Sequence, residues 1–246
     1  MRRRAERFAA AALESLLRAI DANDPQTGAH VRRVAEYALI LTDALGIGER
    51  ERRIIELAAL FHDVGKIHEA LFDIVHEPGK LSHAEWRAIR THPIRGAEVL
   101  APIAHFHPSL ADAVLSHHER WDGKGYPRQL RGRRIPFSAR IVSLADTFDV
   151  ITHGRRYQSG RATSKAVTII LEGRGTQFDP ELVDLMLLPP VFERLVDAHR
   201  ELSRRGQTLL KRRESPGYAQ APNVEIRWRS LTGPPRPLRE KMTTAR

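Results

Sequence analysis

Residues 58–67 read "AALFHDVGKI". An apolar run with the character of a buried helix meets His62 and Asp63 side by side, then Gly65 and Lys66. An unpaired carboxylate in apolar surroundings is costly unless it is neutralised, hydrogen-bonded or bound to a cation. The doublet therefore either finds partners elsewhere in the chain or holds a metal.

Outward from this stretch the helical period dominates. Segments near 5–21, 28–45, 50–64, 82–100, 109–119, 138–152, 163–173 and 180–205 place apolar residues three and four apart. Asp24-Pro25, Ser82 with Glu85 three residues later, and Asp179-Pro180 supply helix starts. No alternating strand pattern and no internal repeat is present. Turn chemistry marks "HEPGKLS" (76–82) and "WDGKGYPRQLRGRRIP" (121–136) as loops. The expectation is an all-α helical bundle over residues 1–205, followed by a separate tail over 206–246.

Composition narrows the chemistry. The 246 residues include no cysteine, which excludes disulfides and thiolate metal sites, so a metal must be held by nitrogen and oxygen. The absence of cysteine also fits a reducing compartment. The N-terminal apolar run, Phe8 to Leu13, is too short for a signal-peptide core, and no stretch approaches a membrane span. A cytoplasmic protein without a transmembrane segment is expected. Formal charge is +10, but Arg204–Arg246 carries eleven Lys+Arg against three Asp+Glu, a net of +8, leaving +2 for the body. The body is therefore not read as a nucleic-acid binder. The tail, with Pro216, Pro222, Pro234, Pro235 and Pro237, is read as extended or disordered. It is either a solvated terminus or a contact for an acidic partner or surface. Trp228 between two arginines favours contact.

Five places share the oddity of the opening stretch: His30, His62-Asp63, His92, His117-His118 and Asp146, each in or beside apolar helix. Any one alone is more often structural. Together, seven imidazoles and carboxylates on separate helices can converge on a bundle core, where helical proteins build metal sites. Asp63 has two oxygens and could bridge two ions. Adjacent positions on a helix point about 100° apart, so His117 and His118 are expected to serve different ions or faces.

The ordered set resembles the HD superfamily of metal-dependent phosphohydrolases. More narrowly, "HHERWDGKGYP" is similar to the HD-GYP family through His117, His118, Asp122, Gly123, Gly125, Tyr126 and Pro127. The resemblance runs from about Asp24 to Val183. It includes "DPQTGAHVRRV", "FHDVGKI", "PGKL", "THPIRGAEVL", "ADTFDVIT" and "GTQFDPELV". It implies an HD-domain helical bundle around a buried di-iron or di-manganese centre that hydrolyses cyclic di-GMP to linear pGpG or GMP. By resemblance, His30, His62, Asp63 and Asp146 form one ligand set. His92, His117 and His118 complete the second ion's shell, with Asp63 bridging. Asp63 and Lys66 are then the catalytic pair. Lys66 and Arg155 contact phosphate. Tyr126 and its loop either shape the substrate pocket, dock a diguanylate cyclase partner, or form only a turn.

Three departures from the family pattern matter. Gln26 stands where some members have a glutamate for a third metal, so two divalent ions, iron or manganese, are expected. "RRYQ" (155–158) replaces the common "RPYK", removing one phosphate contact. "HEALFDIVHE" (68–77) replaces the usual segment after Lys66 and adds His68 and His76, as a surface loop or as a lid. These changes keep two alternatives open: an HD phosphohydrolase for another cyclic dinucleotide or a mononucleotide, and a non-catalytic, metal-stabilised signalling or docking module.

Overall fold

The structure is a computed structural model, and it describes residues 2–67, 82–103, 107–155, 158–159 and 163–213. The chain divides into two compact units, Met1–Gln207 and Thr208–Arg246. The second is described only as far as Arg213.

The helices are α1 (Arg2–Asn23), α2 (Pro25–Ala44), α3 (Glu49–Phe61), α4 (His83–Ile89), α5 (His92–Leu100), α6 (Pro108–Ser116), α7 (Phe137–His153), α8 (Thr163–Glu172), α9 (Pro180–Met186) and α10 (Pro189–Arg213). A 3₁₀ turn, Val64–Ile67, follows α3. The starts expected from sequence are used. Asp24 caps α2, Asp179 caps α9, and Ser82 with Glu85 forms a reciprocal capping box on α4. Each cap accepts a backbone N–H that has no partner within the first helical turn.

Three boundaries differ from the periodicity reading. The segment 82–100 is two helices, because Pro93 lacks the N–H that a continuous helix needs and instead opens α5. The segment 180–205 breaks before Pro189 and Pro190 for the same reason. Helix α10 then continues to Arg213, so 206–213 is helical rather than extended, while 214–246 lies outside the described residues. A two-residue antiparallel pair joins Gly154–Arg155 to Gln158–Ser159, a bridge too short to leave an alternating signature.

Helix α2 packs against α1, α3 and α7, and α3 packs against α6 and α7. Helix α5 packs on α6 and on the Val64–Ile67 turn. Tyr37 of α2, Phe61 of α3 and Phe148 of α7 are fully buried between them, with Tyr37 and Phe148 edge to face at 5.0 Å. These aromatics fix how α2, α3 and α7 approach, and so where His30, His62 and Asp146 point. Among the described residues no helix is long and apolar enough to cross a membrane.

Candidate metal centre

The chain supplies its imidazoles at helix ends. Nδ1 of His62, His92 and His117 lies 2.8, 2.7 and 2.6 Å from the carbonyl oxygens of Ala59, Ile89 and Val114. These carbonyls belong to the last turns of α3, α4 and α6, where no intrahelical donor remains. A carbonyl only accepts, so each Nδ1 carries the proton and donates. Nε2 is left with its lone pair, and in all three residues it faces the core.

His30, on α2, is oriented differently. Its Nδ1 is 2.7 Å from Oδ2 of Asp149, and its Nε2 is 3.3 Å from Oδ1 of Asp146. Asp149 is 1 % exposed and also receives Arg33 at 2.7 and 2.9 Å and His153 at 2.9 Å. It therefore backs the ring of His30, the arrangement that sets the tautomer of metal-binding histidines in general. The sequence reading passed over Asp149. Its only signal was a place one helical turn from Asp146, on the same face of α7.

All seven expected groups converge, in two sets. His30, His62 and Asp146 present donor atoms within 4.8 Å of one another, as do Asp63, His92, His117 and His118. Asp63 faces both sets. Its Oδ1 is 3.3 Å from Nε2 of His92, and its Oδ2 is 3.5 Å from Nε2 of His62 and 4.0 Å from Nε2 of His30. The expectation that His117 and His118 diverge is corrected. Helix α6 ends at Ser116, both histidines lie on the turn after it, and their rings are 4.1 Å apart in the same set.

The donors fit a cation. Nε2 of His62, Oδ1 of Asp63 and Oδ1 of Asp146 are buried and have no hydrogen-bond partner among the described residues. Nε2 of His92 and of His117 are 3.1 Å apart, although both rings already hold their proton on Nδ1. Two such lone pairs repel unless a cation lies between them. Two nitrogens held at right angles about 2.1 Å from one ion are about 3.0 Å apart.

Electrostatics prepares the same set. Burial pushes His92 down to about 3, aided by Lys66, and pushes His118 down to about 4. Burial, with His118 and His92 nearby, holds His117 well below its usual range. Burial alone would raise Asp63, but Lys66 and the surrounding histidines hold it well below the usual carboxylate range. Asp146 is held low against the same burial, chiefly by the ring of His30 beside it. For His30, burial favours the neutral ring, yet the nearby carboxylates of Asp146 and Asp149 raise it to about 9. At neutral pH His92, His117 and His118 are thus neutral imidazoles beside the ionised carboxylates of Asp63 and Asp146, while His30 carries a proton that a bound cation would displace. Nitrogen and oxygen donors of this kind suit borderline-hard divalent ions.

The remaining expected residues are placed as follows. Nζ of Lys66 is 2.6 Å from Oδ2 of Asp63, at the edge of the cluster. Tyr126 stacks on His118 at 4.9 Å, and Arg90 lies over its ring at 4.4 Å. Arg155 ends the first strand of the short pair, but its side chain lies outside the described residues, as do Arg156, Tyr157, His68 and His76. Gln26 is exposed.

Two glycines have a steric reason. A Cβ on Gly65 would stand 2.1 Å from the carbonyl oxygen of His92 and 2.6 Å from the amide of Gly96, so the turn carrying Lys66 lies directly on α5. A Cβ on Gly125 would meet the backbone of Arg120 at 2.3 Å. Buried Glu119, also passed over in sequence, accepts the amides of Arg128 and Leu130 at 2.6 and 2.9 Å and so pins the loop beside His118.

Comparisons with known proteins agree in direction. The HD domain family model matches residues 14–182. The cyclic di-GMP phosphodiesterase response regulator RpfG of Xanthomonas campestris pv. campestris is 41% identical, over 71% of this chain and 46% of that protein. The 3'3'-cGAMP-specific phosphodiesterase 2 of Vibrio cholerae is 38% identical, over 70% of this chain and 33% of that protein. This chain thus spans about a third to a half of the length of these curated relatives. Among solved structures, a cyclic GMP-AMP-specific phosphodiesterase of V. cholerae aligns with TM-score 0.56 at 23% identity, over 78% of this chain and 52% of that one. An HDG"Y"P protein of Bdellovibrio bacteriovorus aligns with TM-score 0.52 at 23% identity, over 64% of this chain and 50% of that one. At these identities the two structures speak for the fold alone.

Proposed function

Because the chain belongs to the HD domain family, we propose that it is a metal-dependent phosphodiesterase of the HD-GYP type, opening cyclic di-GMP to linear pGpG or GMP in bacterial second-messenger signalling. The observation that carries this reading is Asp63, one carboxylate whose two oxygens face two separate donor sets. Asp63 would be shared between two ions, of which His30, His62 and Asp146 would hold one and His92, His117 and His118 the other. Iron or manganese suits these nitrogen and oxygen donors.

When bound, two such cations supply a nucleophile from water at neutral pH and neutralise charge on the phosphodiester. The protein's own part is positional. Buried His62, His92 and His117 exclude bulk water. Asp149 holds the ring of His30 in place. Lys66, anchored on Asp63, keeps a positive charge at the edge of the cluster for a phosphate oxygen, a charge-assisted contact. Arg155 contributes a second positive charge, and Tyr126 supports His118 at the pocket wall.

A second reading is favoured by relatives named for 3'3'-cGAMP at 38% identity, and it takes a hybrid cyclic dinucleotide as substrate. Residues 1–205 form the catalytic domain and 206–246 a basic tail toward an acidic partner or surface. A diguanylate cyclase or other signalling partner would dock on loop 122–127. The protein would act in the cytoplasm.

The test incubates the full chain, with metal content measured, with Mn²⁺ or Fe²⁺ and a panel of cyclic di-GMP, 3'3'-cGAMP and mononucleotides. Linear dinucleotide from a cyclic substrate is expected. No product from any metal-loaded sample, or preference for a mononucleotide, overturns the assignment.

A further inference from the structure

Beside the metal cluster lies a cleft of about 320 Å³, walled by Trp86, Arg90, His118, Arg120, Lys124 and Gln177. His118 belongs both to this wall and to the ligand set, so the cleft adjoins the centre. Small-molecule sites run from roughly 300 to 1,000 Å³. The cleft lies at the small end of that range, the size of a part of a cyclic dinucleotide rather than a large cofactor.

Its lining is polarised. Glu119 also borders it, but both carboxylate oxygens are engaged by backbone amides of Arg128 and Leu130. Arg120 is held by Asp122 and Gln177. Arg90 makes no ion pair among the described residues, and the ammonium of Lys124 is only loosely balanced by Asp122, which is already paired with Arg120, so the lining carries an excess of positive charge. The ring of Tyr126 already lies against Arg90 and His118. Trp86 is 53 % exposed and is the aromatic surface open to a ligand. A base over an indole and a phosphate beside a guanidinium are ordinary forms of nucleotide recognition.

Resting on the cyclic dinucleotide reading above, we infer that this cleft binds the half of the substrate that is not cleaved. A nucleobase lies against Trp86, and the second phosphate is met by Arg90 and Lys124. The end of α4 together with Lys124 of loop 119–132 thereby sets which dinucleotides fit, while the metal cluster acts only on the scissile diester.

Two substrates separate the cleft from the centre. Cyclic di-GMP has a second phosphate and bases; bis(4-nitrophenyl) phosphate has a diester and neither. For the full chain with Mn²⁺, kcat/KM is measured on both for wild type, Arg90→Gln and Trp86→Ala. A charge-assisted hydrogen bond or a base stack contributes enough to change affinity about tenfold. Each variant is expected to lower the ratio of the cyclic to the nitrophenyl kcat/KM about tenfold, mainly through KM for the cyclic substrate. An unchanged ratio in both variants overturns the inference. So does an equal loss on both substrates, which would assign Arg90 to support of Tyr126 and His118. A wild type that cleaves only the nitrophenyl ester refutes the cyclic dinucleotide reading itself, a result distinct from failure of the cleft.

Discussion

Asp149→Asn changes a single oxygen to nitrogen at a 1 %-exposed position, so packing is preserved and the charge is lost. Asp149 gathers His30, Arg33 and His153 through contacts of 2.7 to 2.9 Å. Burial would raise its pKa, but the hydrogen bonds from His153, His30 and Arg33 hold it well below the carboxylate range. An amide offers one acceptor oxygen where these donors converge and leaves Arg33 without its counter-charge. Breaking a buried pair costs about 3–5 kcal/mol. Arg33 retains some contact with water, which puts the loss near the lower end, about 3 kcal/mol. Disturbing the group behind a metal-binding histidine lowers metal affinity roughly 10–100-fold. The assays are urea denaturation of the metal-free chain and Mn²⁺ titration followed by electron paramagnetic resonance. Stability within about 0.5 kcal/mol of wild type, the range of a neutral surface change, together with unchanged Mn²⁺ affinity, would refute the role assigned to Asp149.

Gly65→Ala places a methyl group against the carbonyl of His92, and backbone cannot yield as a side chain tip can. The turn bearing Lys66 should shift from α5, with a stability loss of about 1–3 kcal/mol typical of overpacking and weaker Mn²⁺ binding; unchanged binding would mean the two segments are not in register contact. Glu119→Ala strands two backbone amides, each costing about 1–3 kcal/mol. Hydrogen exchange should quicken at Arg128 and Leu130 and leave α2 untouched, and uniform exchange would contradict the pinning. His199 has its pKa lowered by burial and then by His153, 4.3 Å away across the ring contact; Asp149 opposes this, while Arg33 and Arg200 reinforce it. A histidine with a depressed folded pKa favours the neutral fold, so its contribution is present above about 6.5 and is lost as pH falls below that value. Wild type should therefore lose more urea resistance than His199→Gln between pH 7.5 and 5.5, and parallel losses would exclude the effect.

What the sequence by itself determined is local or additive in kind. Helical period, the caps at Asp24, Ser82 and Asp179, and the seven misplaced polar groups within apolar helix are all short-range facts, since caps and periodicity act within one or two turns. Tertiary structure decided which oxygens meet which nitrogens. Asp146 and Asp149 look alike one turn apart on α7, yet one faces the ligand set and the other grips the back of His30 across 119 residues of chain. The ending of α6 at Ser116 turned His117 and His118 toward one set instead of two. The deprotonated Nε2 atoms follow from where helix C-termini leave carbonyls unpaired, and the cleft beside Trp86 from how loop 119–132 folds over Glu119. Those outcomes depend on side chains far apart in the chain burying one another's charge. No pattern along a single segment encodes that, because the free energy of a buried charge is set by whatever the fold brings beside it.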